Sequence, residues 1–184
     1  RAIAREFALN GYDIILNGRD EERVYDTQFY INHQLLEDVI CESVIGDLRS
    51  DNTIQKLYDV SKGQISVLVN NCAIPCYGLP LDEMNEDQVW ESLETNLVAP
   101  IKLTQKIYPL LKQQGYGSII NINSIVGKEP KKFRSVHSAT KWGLKGFTKS
   151  LRIEASEHNV QLINIYPTQI KTVKEHTFGL ETEE

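Results

Sequence analysis

Ser124, His137 and Lys141 are the residues of this chain whose types and spacing suit proton transfer. The hydroxyl closes the run Ser118-Ile119-Ile120-Asn121-Ile122-Asn123-Ser124; thirteen positions on stands an imidazole, and four further an amine. Positions four apart share one face of a helix, so His137 and Lys141 lie one turn from each other. Imidazole takes and gives protons near neutrality, a nearby ammonium biases such a group, and a hydroxyl holds an oxygen in place. Ligands of open α/β sheets sit beyond the carboxyl ends of the strands, so a hydroxyl there, facing such a helix, forms a candidate reaction centre.

The rest of the sequence supplies elements able to position that centre. Arg1 to Gly11 has apolar spacing compatible with a helix, through Ile3, Ala4, Phe7 and Ala8, and ends in Asn10-Gly11. A short strand over 12–17 breaks at Asn17-Gly18, and a charged surface helix carries Val24, Phe29 and Leu35. A second strand ends at Asp47, a helix over 51–61 presents Ile54, Leu57 and Val60, and an apolar strand over 65–70 ends at Asn70-Asn71.

Cys72 to Met84, with two prolines and a glycine, reads as a loop. A long helix over 85–114 follows, with Pro100 inside it, where a lost backbone donor bends a helix. Next come the strand ending at Ser124, the basic loop Lys128-Glu129-Pro130-Lys131-Lys132-Phe133-Arg134, a helix from about Ser135, and a last strand stopped by Pro167. The tail from Thr168 to Glu184 is polar, weakly patterned and expected to be mobile. Regular alternation of strand and helix predicts an α/β fold with a doubly wound parallel sheet and right-handed crossovers.

Composition narrows the function. The chain has 184 residues, 41% of them apolar and 24% charged, enough for one core and one domain over 1–184. A net charge of −5 argues against a nucleic-acid role. Cys41, Cys72 and Cys76 are an odd number without metal-ligand spacing, so they read as free thiols in a reducing compartment, the cytoplasm, and no metal is expected. No apolar run approaches the ~20 residues of a membrane-spanning helix, and no membrane partner is expected.

Ser124, residue 137 and Lys141 together resemble the Ser…Tyr-x-x-x-Lys signature of the classical short-chain dehydrogenases/reductases, with His137 where that family has Tyr. The likeness covers nearly the whole chain. It implies a Rossmann-type fold whose first strand, between the strands 12–17 and 65–70, and whose glycine-rich loop are absent from the chain. Such a gap predicts about 10 to 20 further residues at the amino end.

The resemblance also implies roles. Asn70, Cys72 and Ala73 stand in the family's N-N-A-G segment beside the cofactor, although read alone Asn70-Asn71 is a turn closing a strand. Asp47-Leu48 matches the adenine-binding acid, or else caps the next helix. Asn17 stands where NAD-preferring members carry an acid, and Arg19 follows it, which favours NADP over NAD. Asn96 matches the family's catalytic Asn, which holds a water connected to the Lys. Pro167-Thr168 replaces Pro-Gly near the nicotinamide. An NAD(P)-dependent oxidoreductase acting on a small alcohol or ketone, as a homo-oligomer, is the activity implied.

His137 leaves three readings open. It is a slower proton donor, the mark of a cofactor-binding or assembly protein that has lost its chemistry, or a substitution that traps a complex. Imidazole is shorter than a phenol, a misplacement of about 1 Å costs on the order of 100-fold, and a neighbouring ammonium favours the neutral ring.

Overall fold

The computed structural model describes residues 1–35, 38–76, 78–168 and 170. The mobility expected of the tail lies almost wholly outside them. The chain divides into two compact units, residues 1–46 and residues 47–168.

In the first unit, α1 (Ala2–Leu9) precedes β1 (Ile14–Gly18), α2 (Glu21–Tyr30) and β2 (Cys41–Ile45). Asp20 starts α2 by accepting the Arg23 N–H at 3.0 Å. The helix widens into a π turn over Ile31–Leu35, and residues 36 and 37 of the expected surface helix fall outside the description. Parallel pairing sets Ile14 beside Cys41 and Gly18 beside Ile45. Ala8, Ile31, Val39 and Cys41 form the buried centre, against which Ile14 and Leu16 pack. Asn32 brackets Cys41, accepting from its N–H at 2.7 Å and donating to its carbonyl at 3.0 Å. Side-chain amides thus satisfy main-chain groups that β1 does not pair.

The second unit holds β3 (Val67–Asn70), β4 (Gly117–Ile122) and β5 (Val160–Ile165), parallel and in that order. The helix α3 (Asp51–Val60) precedes β3, α4 (Glu86–Leu93) and α5 (Ala99–Gln114) lie between β3 and β4, and α6 (Ser135–Ser156) lies between β4 and β5. Strand register places Asn70 beside Asn121 and Asn121 beside Asn164. The row is bonded inside the protein: Asn70 Nδ2 donates to Asn121 Oδ1 at 2.8 Å and to Thr104 Oγ1 at 3.1 Å, and Asn121 Nδ2 donates to Thr148 Oγ1 at 2.9 Å. Thr148 in turn donates to Asn164 Oδ1 at 3.2 Å. The row therefore faces α5 and α6, which share that side of the sheet.

Several expected boundaries move. Strands start at 14 and 67 rather than 12 and 65, and the second ends at Ile45 rather than Asp47, because Gly46 turns the chain at φ 157°. The long helix over 85–114 is α4, a π turn over Glu94–Val98, and α5. Pro100 lies in the first turn of α5, just after the π turn, so its missing donor falls where the ladder is already shifted. Pro109 is the proline inside the regular helix. Gly115 ends α5 in the left-handed region at φ 73°. Among the described residues the ladders join β1 to β2 in the first unit, and β3 to β4 and β4 to β5 in the second.

Candidate active site

The exit of β4 and the first half of α6 build the site. Ser124, two residues beyond the strand, caps a 3-10 turn over Ile125–Gly127, its hydroxyl accepting the Val126 N–H at 3.3 Å. The Ile125 N–H donates to the Pro167 carbonyl at 2.9 Å, and the Asn123 N–H to that of Ile165 at 2.8 Å. These bonds dock the turn on the chain leaving β5. The basic loop then runs to α6, held by a bond from the Gly78 N–H to the Phe133 carbonyl at 3.0 Å.

His137 and Lys141 are both buried, at 7% and 3% exposure, on one face of α6. The Lys141 ammonium donates to the Ile122 carbonyl at 3.1 Å, below Ser124. Burial lowers its pKa to about 8, opposed by the negative potential of Cys72. Burial, then the charges of Lys141 and Arg134, lower the His137 imidazole to about 4, so the ring is neutral at physiological pH. That is the direction expected of a ring beside an ammonium, and burial is its larger cause.

Asn96 is fully buried in the π turn, and its side chain bonds Ile74 and Ser92. Its Oδ1 accepts the Ile74 N–H at 2.8 Å, and its Nδ2 donates to the Ile74 carbonyl at 3.0 Å and to Ser92 Oγ at 3.2 Å. Both amide protons are used, so Asn96 shapes the loop after β3.

The other sequence-derived positions divide by environment. Asn70 sends its amide into the Asn row, so a ligand would meet its backbone rather than its donors. Cys72 is half-buried and close enough to Lys141 to act on its charge, while Ala73 is exposed. Asp47 sits in a turn, accepting from the Arg49 N–H at 2.9 Å and guanidinium at 2.7 Å. It caps no helix, because α3 begins after Ser50. Leu48 is buried in the core, Pro167 is half-buried and Thr168 exposed.

In the first unit Arg19 is exposed at the end of β1. Asn17 donates to the carbonyls of Val44 and Gly46 at 2.9 and 3.1 Å. A Cβ on Gly18 would lie 2.6 Å from Val24, so the turn presenting Arg19 depends on that glycine. Sequence reasoning missed Gly18, Asn121, Asn123 and Gly127. The alternation of amides in Asn121-Ile122-Asn123 was the available signal.

With this geometry in view, comparison with known proteins is decisive on ancestry. The family model described as short chain dehydrogenase matches residues 1–181. The chain belongs to that family. Among short-chain dehydrogenases it is 30% identical over 182 residues to the "Dehydrogenase/reductase SDR family member 7B" of Xenopus laevis, covering 92% of this chain and 54% of that protein. It is 27% identical to "Sulfoacetaldehyde reductase 2" of Chromohalobacter salexigens, covering 94% of this chain and 68% of that one. The chain thus spans about half of the frog relative's length. A solved metagenomic short-chain oxidoreductase in complex with NADP matches with TM-score 0.84 at 31% identity, over 90% of this chain and 75% of that one. A Streptomyces avermitilis short-chain dehydrogenase matches with TM-score 0.84 at 24% identity, over 94% of this chain and 62% of that one, and shows the fold alone. The fold class expected from the sequence, α/β of Rossmann type, is that of these neighbours.

Proposed function

We propose that the protein is an oxidoreductase that moves a hydride between NADP and an alcohol or ketone, with Ser124, His137 and Lys141 at the reacting oxygen. The carrying observation is the buried pair on α6: an ammonium pinned under the Ser124 turn and an imidazole one turn before it. Ser124 accepts from Val126, which leaves its own proton for a substrate oxygen. His137, neutral at pH 7, offers a lone pair to the proton of an alcohol and holds no such proton in advance for reduction; in both directions burial and two cations oppose the protonated ring.

Residues of each unit, taken by itself, support a nicotinamide cofactor. Asn17 is tied to β2, and Asp20, the carboxylate beside Arg19, is held by Arg23 and the helix it caps. Neither sets a carboxylate against a 2′-phosphate at Arg19. When bound, the nicotinamide supplies or takes the hydride. Lys141 would hold its ribose, with the backbone of Asn70, Cys72 and Ala73 and the Pro167-Thr168 turn alongside and Asp47-Leu48 toward the adenine. The neighbour solved with NADP supports a nicotinamide cofactor of this kind.

A second reading, a nucleotide-binding or assembly protein without turnover, is favoured by one observation, the scarcity of protonated His137. Purified protein, NADPH and a panel of ketones and alcohols separate the two. Turnover that His137→Ala abolishes supports the enzyme. NADPH binding without turnover, with activity gained in His137→Tyr, sinks it. Exposed Trp90, Trp142 and Ile153 on α4 and α6 support a homo-oligomer, which light scattering tests, and the cytoplasm is the proposed compartment on cysteine usage.

A further inference from the structure

We propose that Asn123 is a positioning residue: its carboxamide couples the turn carrying Ser124 to the backbone of Lys141 and thereby sets where the ammonium stands. Its Oδ1 accepts the Ser124 N–H at 2.9 Å, and its Nδ2 donates to the Lys141 carbonyl at 3.1 Å. The preceding residue takes the other end of the same lysine, since the Lys141 ammonium donates to the Ile122 carbonyl at 3.1 Å. Two consecutive residues leaving β4 therefore grip Lys141 at its main chain and at its tip.

A lysine side chain has four rotatable bonds, and fixing it costs up to about 2 kcal/mol of rotamer freedom. Anchoring both ends leaves few conformers, and because the same amide holds Ser124, hydroxyl and ammonium become parts of one rigid piece. The joint is dry: Asn123 is 5% exposed. It also needs room. A Cβ on Gly127 would lie 2.6 Å from Asn123 Oδ1 and 3.2 Å from the Lys141 carbonyl, so the bare glycine admits the amide between turn and helix. Of the residues of this size, only Asn offers an acceptor and a donor together. Asp lacks the donor, Leu lacks both, and Ser is too short to span both partners.

That the coupled groups serve a reaction rests on the function proposed above, whereas the coupling itself is measurable without turnover. Protein labelled with ¹³C at the lysine ε-carbons, with Lys141→Arg assigning the signal, gives the titration of that one amine. In the unsubstituted protein it titrates near 8. In Asn123→Leu the helix loosens from the turn, water reaches the amine, and the midpoint rises by at least about one pH unit. Asn121→Leu, which removes a buried amide of the same strand bonded to Asn70 and Thr148 instead, leaves it in place. If Asn123→Leu does not fold, Asn123→Ser takes its place. A folded Asn123 variant with an unmoved midpoint overturns the proposal, as does an equal shift in Asn121→Leu. Absence of turnover in the unsubstituted protein would overturn the oxidoreductase reading and leave this measurement to decide the coupling.

Discussion

Asn96 holds Ile74 by both polar groups of its peptide, accepting from the N–H at 2.8 Å and donating to the carbonyl at 3.0 Å. Two irregular segments, a π turn and a loop, thereby satisfy each other. The amide supplies to Ile74 what a neighbouring strand would otherwise supply. Asn96→Leu leaves both groups of Ile74 unmet at a half-buried site, where each costs about 1–3 kcal/mol. The expected result is a lower urea midpoint, with the Ile74 amide exchanging hydrogen faster than the amides of β4. Unchanged protection at Ile74 would show that the loop holds its shape unaided.

Two glycines of the second unit should respond oppositely to the same methyl. Gly127→Ala places a Cβ 2.6 Å from Asn123 Oδ1 and near the Lys141 carbonyl, and overpacking of this kind costs about 1–3 kcal/mol. Gly146, in α6, has open space where a methyl group would stand, so Gly146→Ala adds helix propensity and stabilises by about 0.5–1 kcal/mol. Thermal midpoints of the pair check this, and a common direction of change would contradict it.

The order of strands and helices is legible in the sequence because the strands are short apolar runs and the helices carry apolar stripes. The placement of Ser124 beyond the end of β4 and of His137 and Lys141 one turn apart on α6 is legible for the same reason, since an i, i+4 pair can be counted and a strand end can be seen. The π turn at Glu94–Val98 is not legible, for its wider bonds coincide with the tertiary grip of Asn96 on Ile74. Nor is the row Asn70, Asn121, Asn164, whose amides acquire partners only once register brings three strands side by side. Asn17 shows the same limit. Its place at the end of β1 marks it as a missing acid, yet only the structure shows its amide tied to Val44 and Gly46.

His137 makes stability fall with acid. Its pKa of about 4 in the folded chain lies below the ordinary value of 6.5, so between these values the unfolded chain binds the extra proton. The contribution is whole above 6.5 and is lost progressively as pH drops toward 4. His137→Gln, neutral throughout, should remove that part of the pH dependence of the urea midpoint. A ketone reduction carried by the same ring should quicken over that window while the protein stays folded. Equal pH dependence in both proteins would place the charge sensitivity elsewhere.

Lys141 has the same sign in another window. Its pKa is lowered from 10.5 to about 8, so its charged form is disfavoured in the folded chain and stability rises as pH climbs from 8 to 10.5. Below 8 the burial cost is borne in full, offset only in part by the bond to the Ile122 carbonyl. Lys141→Met, of similar length and without charge, should therefore stabilise the chain at pH 7 while removing any turnover. The difference in urea midpoint between Lys141→Met and the unsubstituted protein should shrink by pH 10, where the native amine is already neutral. A substitution that destabilises at pH 7 would show instead that the ammonium and its anchor at Ile122 contribute more to the fold than their burial takes away, and that the site is not strained for function.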